Sequence, residues 1–311
     1  MATCRPTNET IPASDGLPLA ASLFPSARPT ALGTLLIAGA VGNLRHGYRT
    51  YAGYMAERGW DVLTFDYRGM GESAASPQET ARFTMLDWAE KDLSGVIDWA
   101  RRRLNPRRLV LVGHSIGGQL AGLATNCAEL DALVGVAAQR GYWPYWTGPR
   151  KYLLYLFFGV YVPLAVKRHG FLPMGLAGLE NLPAGVARDW ARWGIAKEYR
   201  DRTGSLLRPR FARFTAPILA LSFSDDLALA PKRAVDVLFS EHYVNAPVTR
   251  WHVHPEDFER KQLGHSGFFS RRVRPERLWQ AVSEWILAAC PGERKGDLLT
   301  ASGTPSSGRA E

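Results

Sequence analysis

The stretch Leu109-Val110-Leu111-Val112-Gly113-His114-Ser115-Ile116-Gly117-Gly118 decides the fold of this chain. Its first half is a short apolar run typical of a buried β-strand, and the residues after Gly118 favour a helix. A strand-to-helix turn of this kind projects its central serine above a sheet edge, and only small residues two positions to either side let the turn close. The N–H groups that begin the helix point to where negative charge develops in acyl transfer. The stretch therefore predicts that Ser115 is a nucleophile.

The bulk composition fits a globular protein with a sizeable core. The chain has 311 residues, 46% hydrophobic and 22% charged. Its net charge is +9, but no nucleic-acid module or basic helix accompanies that charge, so we expect no nucleic-acid partner. Cys4, Cys127 and Cys290 lie far apart without metal-ligand spacing, which predicts free thiols and no metal. The N-terminal residues lack the pattern of a signal peptide, so a cytoplasmic location is expected.

Strand-like and helix-like runs alternate along most of the chain. This alternation predicts an α/β fold with a mostly parallel central sheet and helices on both faces. We predict strands at residues 34–38, 60–66, 109–112, 132–138, 217–222 and 248–253, and helices at 48–58, 86–104, 231–239 and 275–289.

The alternation stops between residues 142 and 212. This segment holds 14 of the 34 aromatic residues and carries 11 Lys and Arg against 4 Asp and Glu. Its longest apolar run, at 152–166, is shorter than the roughly 20 residues that a membrane span needs. We interpret 142–212 as a helical lid inserted over a core formed by residues 1–141 and 213–290, and residues 291–311 as a disordered tail. The aromatic and basic character of the lid favours a lipid-like, acidic substrate and a peripheral membrane contact.

A serine nucleophile needs a base, and the base needs an orienting acid. Asp225 and Asp226 directly follow a predicted strand, and the spacing favours Asp226 as the acid with Asp225 as the alternative. The other aspartate is expected to cap the next helix or to be solvated. His265 lies in a Gly-flanked loop before the last helix, where the base belongs. His252 and His254 instead share one face of a strand, from which neither would easily reach the serine.

Two N–H groups are predicted to bind the oxyanion of the reaction. One is the N–H of Ile116, directly after the nucleophile. The other comes from the loop after the strand at 34–38, which reads Ala38-Gly39-Ala40-Val41-Gly42. The Ala40 N–H is the first choice in this loop, and the Val41 N–H is the second.

Together these motifs resemble the α/β-hydrolase superfamily, nearest its serine-aminopeptidase-like and monoglyceride-lipase-like branch. The resemblance covers about residues 30–140 and 213–290 and implies the α/β-hydrolase fold. It rests on Gly113-His114-Ser115-Ile116-Gly117-Gly118, Asp66-x-Arg68-Gly69-x-Gly71-x-Ser73, Asp225-Asp226 and Gly264-His265. In that family the Asp66 loop is structural. The chain departs from the family pattern with Ala38, Phe223 and Leu227, where histidine, glycine and proline are usual.

The resulting expectation is a serine hydrolase that cleaves a small-molecule ester or thioester through an acyl-enzyme intermediate, without a cofactor. A thioesterase or an acyltransferase would use the same residues. From another class, a non-catalytic ligand-binding protein could be built on the same fold. The intact set of Ser115, Asp226 and His265 argues against that alternative.

Overall fold

One eight-stranded sheet runs through the protein, which the computed structural model describes over residues 5–291. The strands are β1 (Thr7–Pro12), β2 (Pro18–Phe24), β3 (Thr34–Ala38), β4 (Asp61–Phe65), β5 (Leu109–His114), β6 (Ala132–Val136), β7 (Phe171–Leu172), β8 (Leu182–Pro183), β9 (Ile218–Phe223) and β10 (Val248–Val253). The order in the sheet is β1-β2-β4-β3-β5-β6-β9-β10. The last six strands in this order run parallel to one another, namely β4, β3, β5, β6, β9 and β10. The predicted mostly parallel α/β sheet is therefore confirmed.

Helices fill the connections between the strands. They are α1 (Arg49–Glu57), α2 (Pro77–Thr80), α3 (Met85–Asp87), α4 (Ser94–Arg103), α5 (Ile116–Leu120), α6 (Arg150–Leu156), α7 (Val162–His169), α8 (Ala184–Ile195), α9 (Arg208–Phe211), α10 (Lys232–Glu241) and α11 (Glu276–Ala289). π-helical turns at Trp88–Leu93 and Phe157–Tyr161 join α3 to α4 and α6 to α7. The helix predicted at 86–104 is thus one continuous helical segment with a π turn inside it.

The N-terminal hairpin of β1 and β2 was not predicted. β1 pairs antiparallel with β2, and β2 pairs antiparallel with β4. Elsewhere in the chain, Cys127 and Cys290 are buried free thiols. Cys4 and residues 292–311, which include nearly all of the predicted tail, lie outside the described residues.

The segment between β6 and β9 is a helical insertion, defined here as residues 142–212. It contains α6 to α9 and the short antiparallel pair of β7 and β8. Phe158 packs its ring against Trp190, with 5.1 Å between ring centroids. A Cβ at Gly194 would lie 2.3 Å from the Phe158 ring, so only glycine permits this close approach of the two helical segments.

Arg140 fastens the insertion to the sheet. This fully buried side chain follows β6 and donates to the backbone carbonyls of Trp193, Ala196 and Lys197 at 3.0, 2.6 and 3.1 Å. Its guanidinium also lies 3.9 Å from the centre of the Tyr199 ring. Because hydrogen bonds from a buried charge are strong ones, Arg140 holds the C-terminal end of α8 in place.

The Asp66 loop is a buried framework of ion pairs. Asp66 accepts a hydrogen bond from the Arg45 N–H at 2.7 Å and also pairs with the Arg45 guanidinium. Arg68 pairs with Asp92 at 2.6 Å and with Asp15 at 2.8 Å. These contacts tie the loop after β4 to β1–β2 and to the helix that precedes β5, which fits the structural role that the resemblance implied.

His242 is a buried histidine that links the stability of this fold to pH. Its ring packs edge-on against Tyr199 and Phe211, with centroid distances of 5.1 and 5.2 Å. Burial, together with the nearby charges of Arg140 and Arg208, lowers the pKa of His242 to about 3. In the unfolded chain its pKa would be about 6.5, so below that pH the unfolded state binds one more proton at this site. The free energy of unfolding therefore decreases as the pH falls from 6.5 towards 3.

Replacing His242 with phenylalanine is expected to flatten this pH dependence. The slope of the free energy of unfolding between about pH 6 and pH 4 should decrease by up to about 1.4 kcal/mol per pH unit, the contribution of one proton. Urea denaturation at a series of pH values measures the slope. His254→Phe, at a histidine whose side chain is 50% exposed, is the matched control. An unchanged slope in His242→Phe would contradict the prediction.

Candidate active site

Ser115 lies at the sharp turn between β5 and α5. Its backbone angles, φ 51° and ψ −112°, lie outside the regions that non-glycine residues commonly adopt. A Cβ at Gly117 would lie 2.1 Å from the carbonyl oxygen of Ala38, and a Cβ at Gly113 would lie 2.5 Å from the Gly118 nitrogen. The predicted need for glycine on both sides of Ser115 is therefore confirmed by the packing of the turn.

His265 and Asp226 form a hydrogen-bonded pair. The distance from His265 Nδ1 to Asp226 Oδ2 is 2.7 Å, and the Asp226 side chain is only 3% exposed. A carboxylate oxygen is an acceptor, so Nδ1 donates the proton of this hydrogen bond. The His265 ring centroid lies 5.1 Å from that of His114, the residue directly before Ser115. The structure thus places His265 and Asp226 in contact, and it places His265 beside the residue that precedes Ser115 at the carboxyl end of β5.

Asp225 binds the backbone of the loop that carries His265. Its carboxylate accepts hydrogen bonds from the N–H groups of Leu263 at 2.8 Å and of Gly264 at 2.9 Å. The expectation that the second aspartate caps a helix or is merely solvated is therefore wrong. The two neighbouring aspartates contact the same loop, Asp226 through the imidazole ring and Asp225 through the main chain.

A chain of hydrogen bonds links the loop after β3 to the His265 loop. Burial lowers the pKa of His114 to about 3, so the ring is neutral at pH 7. His114 Nε2 lies 3.0 Å from the carbonyl oxygen of His265 and must donate to it. His114 Nδ1 is then an acceptor, and the Tyr48 hydroxyl donates to it at 3.0 Å. The Tyr48 oxygen in turn accepts the Ala40 N–H at 2.8 Å.

These hydrogen bonds occupy one of the N–H groups predicted to bind the oxyanion. The Ala40 N–H, our first choice, already has an acceptor in Tyr48. The N–H groups of Val41 and Ile116 have no acceptor within residues 5–291. Ile116 is the first residue of α5, where helical N–H groups lack partners inside the helix. Sequence reasoning did not single out Tyr48, because no motif marks a tyrosine eight residues after Ala40.

The insertion contacts the loop after β9 that contains Asp225, Asp226 and Ala228, here called the acid loop. A cleft of about 400 Å³ is lined by insertion residues Arg150, Leu153, Leu154 and Phe157 and by Ala228 of the loop after β9. The Trp146 indole N–H donates to the Ala228 carbonyl at 2.8 Å. Apolar side chains of the insertion therefore face the loop that begins with Asp225 and Asp226.

The comparisons with known proteins agree with this architecture. The family model described as serine aminopeptidase, S33, matches residues 32–173. The uncharacterized protein YfhR of Salmonella typhimurium is 34% identical over 131 residues, 39% of this chain and 42% of YfhR. Lysophosphatidylserine lipase ABHD12 of Danio rerio is 36% identical over 72 residues, 23% of this chain and 16% of that protein. The matches thus span less than half the length of these relatives.

A solved structure extends the likeness over nearly the whole chain. Alpha/beta hydrolase domain-containing protein 10 from mouse superposes with a TM-score of 0.57 at 17% identity, covering 90% of this chain and 98% of the mouse chain. With the sheet order and the strand–turn–helix at Ser115, these findings identify the class. The chain has the α/β-hydrolase fold, as its motifs predicted, and the family model and the relatives support its resemblance to the α/β-hydrolase superfamily. Within residues 5–291, no helix combines the length and apolar character needed to cross a bilayer.

Proposed function

We propose that this protein is a serine hydrolase that cleaves carboxylic esters, with Ser115 as nucleophile, His265 as base and Asp226 as orienting acid. The observation that carries the proposal is the 2.7 Å contact between His265 Nδ1 and Asp226 Oδ2, on a loop that contacts the residue before Ser115. The strained turn at Ser115 supports it, as does the Ile116 N–H, which has no acceptor within the described part of the chain.

The reaction proceeds through an acyl-enzyme. Ser115 Oγ attacks the ester carbonyl carbon while His265 Nε2 accepts its proton, and Asp226 stabilises the imidazolium that forms. The N–H groups of Val41 and Ile116 bind the tetrahedral oxyanion. His265 then gives the proton to the departing alkoxide, which leaves as the alcohol. Water, activated by the same imidazole, hydrolyses the acyl-serine and restores the free enzyme.

The proposed substrate is a lipid-like ester, held by the insertion acting as a lid. Support comes from the apolar lining of the cleft at Leu153, Leu154 and Phe157, beside the acid loop. Arg150 at the same cleft is suited to an anionic group of the substrate. The name of one relative, lysophosphatidylserine lipase, agrees with an acidic lipid ester.

Labelling with a fluorophosphonate probe tests the nucleophile. We expect the purified wild-type protein to be labelled and Ser115→Ala to be unlabelled, because the probe reacts only with an activated serine. Ser266→Ala removes an exposed serine beside His265 and is the matched control, which should keep full labelling. A folded wild-type protein without labelling would contradict the proposal and favour a non-catalytic ligand-binding role.

The acyl specificity is then read from p-nitrophenyl esters of increasing chain length. We expect kcat/KM to rise with chain length, because the cleft would bury added methylene groups. A series of thioesters with the same acyl chains tests the thioesterase alternative. Faster turnover of the thioester than of the ester at equal acyl length would assign the site to that alternative.

A further inference from the structure

The insertion exposes an unusual helix. α6, the π turn and α7 form one continuous helix over residues 150–169. One side packs inward through Phe158, Val162 and Val166, which are buried. The other side, here called the apolar helix face, carries large apolar side chains that are each between 46% and 64% exposed. They are Tyr152, Leu153, Tyr155, Leu156, Val160, Tyr161 and Leu164.

Exposure on this scale indicates a binding surface. Single exposed apolar residues are normal on soluble proteins, but a contiguous set on one helix marks a contact with a partner or a membrane. After the helix, Phe171 of β7 is 38% exposed, and Leu176 in the turn that follows is fully exposed. Three of the seven residues on the face are tyrosines, a residue type enriched where protein meets the headgroup layer of a bilayer.

The charges around the face define what it can contact. Residues 141–179 contain no aspartate or glutamate. Four basic residues lie at the two ends of the helix, Arg150 and Lys151 at one end and Lys167 and Arg168 at the other. None of these four pairs with a carboxylate within residues 5–291. An apolar centre between unpaired cations is complementary to an anionic lipid surface.

The same charges disfavour a second copy of this chain as the occupant. In a symmetric dimer the same patch faces itself, so the helix of one copy would lie against the helix of the other. Whether the two helices ran parallel or antiparallel, basic ends would meet basic ends, with no acidic residue of 141–179 to compensate them. Like charges held together in an interface destabilise it.

We propose that the apolar helix face docks on the surface of a bilayer that contains anionic phospholipid. The helix lies along the membrane, with its leucines and tyrosines at the boundary of headgroups and acyl chains and its terminal cations at the lipid phosphates. Leu153 belongs both to this face and to the cleft beside Ala228, so docking sets the cleft against the lipid. The docking itself does not depend on the proposed esterase activity.

Vesicle co-sedimentation of the full-length protein tests the docking. The probes are vesicles of phosphatidylcholine alone and of phosphatidylcholine with about one third phosphatidylglycerol. We expect binding to the anionic vesicles that weakens with added salt, and at least roughly tenfold weaker binding to the neutral ones. The triple variant Leu156→Ser, Val160→Ser, Leu164→Ser should bind the anionic vesicles roughly 10- to 100-fold more weakly, because each side chain loses apolar burial.

Two further variants complete the design. The double variant Lys167→Gln, Arg168→Gln should bind the anionic vesicles roughly tenfold or more weakly than wild type. Its binding to the neutral vesicles should be unchanged. Leu206→Ser with Val244→Ser removes two aliphatic side chains that are 45% and 55% exposed outside the helix, and it should bind as the wild type does. Circular dichroism melting establishes that each variant is folded, which the exposure of the replaced side chains favours.

Three results would overturn the proposal. The first is no binding to either vesicle by the folded wild-type protein. The second is binding that the triple serine variant leaves unchanged. The third is a concentration-dependent dimer in sedimentation velocity that the triple variant abolishes, without vesicle binding, which would assign the face to self-association.

Discussion

Replacing His265 with alanine is expected to reduce kcat for a p-nitrophenyl ester by roughly 10⁴- to 10⁶-fold. In the proposed mechanism, no group other than this imidazole accepts the Ser115 proton or returns it to the leaving alkoxide. Nucleophile and base act as one unit, so Ser115→Ala with His265→Ala should be no slower than either single variant. Steady-state and single-turnover kinetics on the three variants measure this.

His254→Ala is the matched control for this series. His254 follows β10, and its side chain is half exposed. We expect its kcat to remain within about twofold of wild type, because surface substitutions away from a site have small effects. If the loss of kcat in the double variant equalled the product of the losses in Ser115→Ala and His265→Ala, the two residues would not act in the same step. That result would contradict the proposed mechanism.

Replacing Asp226 with asparagine is expected to reduce kcat by roughly 10⁴-fold with little change in the fold. The asparagine amide would donate towards His265 Nδ1 and favour the tautomer that carries its proton on Nε2. That tautomer cannot accept the Ser115 proton. Since the native contact from Nδ1 to Oδ2 is 2.7 Å and buried, solvent offers no substitute partner.

Asp225→Asn is the adjacent, isosteric comparison. It weakens two hydrogen bonds to the main chain of the His265 loop, those from Leu263 and Gly264. Because the asparagine amide oxygen can still accept from both N–H groups, the bonds are weakened and not lost, and we expect a loss of roughly 10- to 100-fold in kcat, well below that of Asp226→Asn. The kcat of Asp225→Asn should still fall at low pH, as expected when an imidazole that acts as general base becomes protonated. A greater loss of kcat in Asp225→Asn than in Asp226→Asn would indicate that Asp225, and not Asp226, is the orienting acid.

The core of the fold was predictable because its strands carry a strong local signal. β3, β5, β6 and β9 are buried at every position, as central strands of a parallel sheet are, and they read as continuous apolar runs. β1 lacked such a signal, since it is mostly exposed and includes Pro12 at its end. Its pairing with β2 depends on tertiary contacts rather than on its own residues.

The region around the site divides in the same way. The turn at Ser115 followed from sequence, because Gly113 and Gly117 are needed for local steric reasons. The preference for Asp226 over Asp225 came from spacing alone, and the contact with the imidazole ring became visible only in the structure. The role of Tyr48 had no sequence signal, since its hydroxyl meets a histidine 66 residues further along the chain.

The sequence by itself therefore determined the strand–turn–helix at Ser115, the parallel core around it and the apolar, basic composition of the insertion. These features depend on backbone sterics, on continuous runs of apolar residues and on residue counts, all of which are local properties of the sequence. Only the tertiary structure decided that Asp225 holds the loop of His265, that Tyr48 occupies the Ala40 N–H, and that the apolar side of the insertion helix faces outward. Each of these depends on distances between groups far apart in the chain, which packing of the whole molecule sets and no local pattern encodes.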